Sequence, residues 1–184
     1  MTEALIALHF QNDICHPEGR VPFSLNRETE EASAFFSASA EALERARGDG
    51  LAVIHVHIAF AEDYSDLPRN CRLFRAVEER GALKRGSWGS EAFAGFAPKK
   101  GEIVVIHNRN SAFRKTDLEA ELRKLGIARL SVMGLATQFS VEHTVRDAAD
   151  MGFVVTVLSA CCASADRDAH RASLKTMSML AEIA

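Results

Sequence analysis

The chain has no long apolar run; nothing in it approaches the about 18 residues that a membrane-spanning helix needs. It also lacks a basic excess. Lys and Arg number 22 against 25 Asp and Glu, a net charge of −3, so no positive field exists to hold nucleic acid or an anionic membrane surface. Cysteine is scarce, with four residues and no C-x-x-C pair, which excludes a disulfide scaffold. The adjacent Cys161 and Cys162 read as two small buried hydrophobes rather than as a strained ring. There is no P-loop, no strand followed by G-x-G-x-x-G, and neither zinc-protease pattern, so no cofactor and no resident metal are expected. Repeats and low-complexity linkers are missing as well. The opening Met1-Thr2-Glu3 runs straight into a strand-like segment, which reads without a signal peptide and points to the cytoplasm.

What is present is ordinary for a globular protein: 47% apolar and 26% charged residues in a length that suits one domain, residues 1–184. Short apolar runs alternate with helical patterns. Strands are expected at Ala4–Leu8, Leu51–Ile58, Glu102–Ile106, Arg129–Met133 and Phe153–Leu158. Helices are expected at about Arg27–Arg47, Arg69–Glu79, after Thr116, after Gly134 to about Ala149, and at about Asp166–Met179. Thr116-Asp117-Leu118-Glu119 has the form of a capping box, with Thr116 at the N-cap and Glu119 three residues on. Strand–helix alternation implies a single three-layer α/β/α fold with a mainly parallel sheet. Its expected strand order is 2-1-3-4-5, with room for an extra edge strand.

In an open sheet of this kind ligands bind beyond the carboxyl ends of the strands at the switch point. His9 follows the first strand, His107 the third, and Leu135–Ser140 the fourth, so these segments are expected to converge there. Ser140 falls near the start of a helix, where free N–H groups favour a developing anion. A hydroxyl needs a general base within reach, and His107 or His9 would be that base, with Asp13 the nearest acid to orient it. The bland alternative is that Ser140 only fills the first helical turn. His55 and His57 share one face of the second strand and are expected to pack or hydrogen-bond, although they could form half of a metal site, and a site of His9 and His107 with His55 or His57 is a further reading. Trp88 is placed with the substrate-binding residues, and Phe93 either lines the same pocket or packs.

Ala4-Leu5-Ile6-Ala7-Leu8-His9-Phe10-Gln11-Asn12-Asp13, Ser111-Ala112-Phe113 with Thr116-Asp117-Leu118, and Gly134-Leu135-Ala136-Thr137-Gln138-Phe139-Ser140-Val141-Glu142-His143-Thr144 occur in an order and spacing that resemble the isochorismatase-like, or cysteine hydrolase, superfamily. Ala160-Cys161-Cys162-Ala163-Ser164 and His170 fit its closing pattern, so the resemblance spans nearly the whole chain. The family includes nicotinamidases, carbamoylsarcosine-type amidases and isochorismatases, and its amidases use an Asp, a Lys and a Cys. By resemblance those positions are held here by His9, His107 and Ser140, with Leu135, Ala136 and Thr137 as substrate-binding neighbours and a cis peptide expected at Leu135–Ala136. A nicotinamidase-type Asp-x-His metal pattern is missing from His57–Ala61. The resemblance also implies a homo-oligomer, a dimer or larger. Two functions stay open: a family member with a substituted triad that binds a small metabolite without ordinary cysteine-amidase chemistry, or an active small-molecule hydrolase using Ser140 with His107 or His9.

Overall fold

The computed structural model of the protein describes residues 2–27 and 29–184. The apolar run after the N-terminus forms β1 (Thr2–Leu8), buried on both faces as a central parallel strand must be. Its alternate residues divide between two cores: Leu5 and Ala7 point to one, Ala4, Ile6 and Leu8 to the other. A single turn, α1 (Asn12–Cys15), precedes the long α2 (Glu30–Gly48), which begins where Thr29 accepts the amide N–H of Ala32. The expected start at Arg27 is thus three residues early, and Glu28, inside that expected helix, lies outside the described residues. Then follow β2 (Ala52–Ile58), α3 (Arg72–Glu79), β3 (Ile103–His107), α4 (Leu118–Lys124), β4 (Ile127–Leu135), α5 (Glu142–Asp150), β5 (Val154–Ala163), α6 (Arg167–Met177) and β6 (Glu182–Ile183). Phe35 and Leu43 of α2 and Phe74 and Val77 of α3 fill the first core; Leu118 and Leu122 of α4, Val145 of α5 and Met177 of α6 fill the second. These are the two helical layers of an α/β/α sandwich.

All strand pairs are parallel, and β6 supplies the extra edge strand. The order, however, is β3-β2-β1-β4-β5-β6, not 2-1-3-4-5. The reason lies in burial. In β3, Val104 and Ile106 are exposed, so the strand is covered on one face only and sits at an edge. Nearly every residue of the second half of β4 is buried, which requires a neighbour on either side, and it takes the place beside β1. The chain therefore winds outward through β2 and β3 and returns across the sheet to β4, putting the switch point between β1 and β4.

A second correction concerns α4. Thr116 is not its N-cap: Asp117 holds that position, and the Thr116 hydroxyl instead donates to the carbonyl of Ala112 at 2.6 Å. The same oxygen accepts the amide N–H of Leu118 at 3.4 Å, a long contact from one residue ahead of the cap position.

A buried His–His pair beside Ser140

His9 stands one residue beyond β1 with a left-handed backbone, φ 66°, uncommon for a residue with a side chain. Its amide is fixed by the carbonyl of Val56 in β2 at 2.9 Å. His107 closes β3, two strands away from β1, yet its Nε2 lies 2.6 Å from His9 Nε2. The rings reach over the end of β2 to meet. His107 Nδ1 faces the carbonyl of Ser111 at 3.2 Å, so that nitrogen carries the proton and Nε2 offers a lone pair. His9 Nε2 must then donate. Both imidazoles are buried, and burial is the largest cause holding His9 well below its ordinary pKa and His107 down at about 4. For His9 the neighbouring His107 and His57 act in the same direction, and the backbone of Leu135 acts against them. The pair is neutral at pH 7.

Ser140 lies in a π turn, Thr137–Val141, that links β4 to α5. The peptide bond between Leu135 and Ala136 is cis, at the position the resemblance implied. Ser140, Ala136 and His9 wall one cavity of about 30 Å³, closed by Ile14, Phe74 and Phe139. That is room for about one water molecule. His107 is not among its walls, and among the described residues neither ring hydrogen-bonds Ser140. His9 meets Ser140 at the cavity and His107 at its ring, but the common pocket expected for all three side chains and the base-to-hydroxyl contact do not form among the described residues.

The other expected participants are occupied elsewhere. The Asp13 carboxylate accepts the backbone N–H groups of Arg20 at 3.2 Å and Leu83 at 2.7 Å, so it pins loops and orients neither imidazole. Trp88 is exposed, its indole set against the His16 ring at 5.0 Å, away from the cavity. Phe93 packs against Phe36 at 5.2 Å and belongs to an aromatic cluster. Leu135 turns its side chain into the first core, and Thr137 is buried with its hydroxyl 2.9 Å from His170 Nδ1. His55 bonds Glu102 at 2.8 Å, inside a network where Glu102 also holds Arg47 at 2.7 and 2.9 Å. Its partner on the same strand face, His57, is pushed down to about 4 by burial and by His55. Among the described residues no three His, Cys, Asp or Glu side chains are arranged to hold a metal ion, so a His9/His107 metal centre completed by His55 or His57 is not formed.

A wider cleft escaped the sequence reading. It measures about 590 Å³ and lies between α2, the end of β5 and the first turns of α6. Arg167, His170 and Arg171 face it, and their R-x-x-H-R spacing on one helix was the available signal. His170 joins it to the Ser140 segment through Thr137, and Ser173 of the same helix bonds the Thr137 carbonyl at 3.3 Å.

The isochorismatase domain family matches residues 3–184. The chain belongs to that family. Among curated relatives, it is 28% identical to the ureidoacrylate amidohydrolase RutB of Azorhizobium caulinodans over 78% of this chain and 68% of that protein. Among solved structures, an isochorismatase family protein from Desulfovibrio vulgaris superposes with a TM-score of 0.86 at 28% identity, covering 99% of this chain and 93% of that one. The nicotinamidase/pyrazinamidase PncA of Bacillus subtilis gives 0.86 at 26% identity, with both chains covered in full. The fold is therefore that of a hydrolase family whose members act on small molecules.

Proposed function

We infer that this chain is a family member without cysteine-amidase chemistry, whose remaining role is to bind a small molecule. One observation carries the reading: the imidazoles at positions 9 and 107 spend their facing nitrogens on each other, 2.6 Å apart, and not on Ser140. A serine hydroxyl is a weak nucleophile until a base within about 3.2 Å takes its proton. By resemblance, His9, His107 and Ser140 stand where an Asp, a Lys and a Cys work. Two neutral imidazoles supply neither the fixed negative nor the fixed positive charge of that set, and among the described residues no carboxylate hydrogen-bonds either ring to raise its basicity. The cavity of about 30 Å³ next to Ser140 adds a steric argument, because an amide substrate exceeds it.

The active-serine alternative has one observation in its favour, that His9 and Ser140 wall the same cavity. A fluorophosphonate probe separates the two. The expected result is no adduct at Ser140 by intact mass. Stoichiometric labelling that disappears in Ser140→Ala would overturn the reading and establish the hydrolase.

A further inference from the structure

We propose that the ligand site of this chain is the cleft between α2, the end of β5 and α6, and that it takes a small carboxylate with an apolar body. The proposal deepens the binding reading above. Its first support is size: about 590 Å³ falls within the range of roughly 300–1,000 Å³ that small-molecule pockets occupy, whereas the space at Ser140 holds about one water. Its second is the division of the lining. The floor is apolar and buried, formed by Leu25, Ala32, Phe35 and Cys162, with the Cys162 thiol pushed up to about 12 by burial and hence uncharged. The mouth is polar; among the described residues Arg167 and Arg171 are set against a single carboxylate, Glu31.

Arg167 pairs with Glu31 across the mouth, from α6 to α2. Among the described residues Arg171 pairs only with Asp168 on its own helix, and both side chains are largely exposed. Such exposed pairs are weak, so the Arg171 guanidinium can exchange Asp168 for a ligand carboxylate at little cost. His170 completes the recognition. Its Nδ1 is fixed by Thr137, which leaves the other ring nitrogen to the cleft, and burial holds its pKa below the usual value so that it meets a ligand uncharged. An apolar body over Phe35 with its carboxylate on Arg171 satisfies both halves of the lining.

The test is a titration of hexanoate into the full-length chain, followed by the amide resonances of residues 25–38 and 159–171. Saturable shifts confined to those segments are expected, with hexanamide binding about tenfold more weakly. Arg171→Ala should weaken hexanoate about tenfold and leave hexanamide unchanged. Ala34 is exposed on α2 at the edge of the cleft, so Ala34→Trp should block both ligands without disturbing the fold, as circular dichroism would confirm. No saturable shift by about 10 mM, equal binding of the amide, or full binding in Ala34→Trp would each overturn the proposal. Shifts of the same resonances with protein concentration alone would assign the cleft to a second copy and overturn it too. Ser140 labelling reports independently on the chemistry: a labelled chain that still binds hexanoate in the cleft loses only the silent reading.

Discussion

Removal of the His107 ring should flatten the acid sensitivity of the fold by a calculable amount. In the folded protein burial holds this imidazole at about 4, against 6.5 for the free group. A group whose folded pKa is depressed adds stability that is complete above its unfolded value and is lost as pH falls toward the folded one. The window is therefore pH 6.5 down to 4. At pH 7 the unfolded chain draws almost no advantage from protonating this site. At pH 5 the unfolded imidazole is mostly charged and the folded one mostly neutral, and the difference between the two pH values comes to about 2 kcal/mol. His57, held at the same value for the same primary reason, adds a similar loss. Against a total stability of about 5–15 kcal/mol these are large contributions. His107→Gln keeps an amide able to donate to the Ser111 carbonyl while deleting the titration. Urea unfolding of both proteins at pH 7 and pH 5 is the assay, and the readout is the difference between the two pH values, because packing changes affect both alike. The substituted protein should lose about 2 kcal/mol less than the parent. Equal losses, or a His107 ring that titrates near 6.5 in the folded state, would refute the neutral-pair description.

Two further outcomes concern Glu102 and the exposed sheet edges. Glu102, drawn down to about 2 chiefly by its hydrogen bonds to Arg47, should make Glu102→Gln less stable by about 3 kcal/mol at pH 7; the contribution is present above 4.5 and fades as pH falls toward 2, so the deficit in urea should shrink by about half at pH 3. The exposed Val104 and Ile106 at one sheet edge and Met179 and Leu180 near the other support self-association, so light scattering at micromolar concentration should give at least twice the 20.1 kDa chain mass; a 20.1 kDa particle would count against a homo-oligomer.

The strands were legible because burial on both faces writes itself as an unbroken apolar run, as in Ala4–Leu8, and helix ends were legible where a side chain caps them, as Asp166 does for α6 by accepting from Asp168 and Ala169. Strand order was harder. Ile103–Ile106 is wholly apolar in sequence and Leu130–Met133 carries Ser131, yet it is the former that is exposed on one face, because the covering helices and not the run itself decide it. The site shows the same division. That His9, His107 and Ser140 end up at one end of the sheet follows from the strand–helix alternation, whereas the side-chain contact between the first two depends on rings reaching across β2. The role of Asp13 was unreadable because its partners, Arg20 and Leu83, are backbone amides, and an amide leaves no mark in the sequence.

Asp13 also binds its surroundings by shape. A side chain at Gly89 would bring its first carbon within 1.9 Å of the Asp13 carboxylate, so the backbone there lies directly against that group. One carboxylate thus touches the segment after α1, the segment after α3 and the turn at Trp88–Ser90. Loops that share a single buried anchor do not open one at a time, because releasing any of them exposes the group that the others rely on. These three surface segments therefore act as one cooperative unit. Drift in the sequence of any one is constrained by the other two, even though they lie some 60 residues apart along the chain from Arg20 to Leu83.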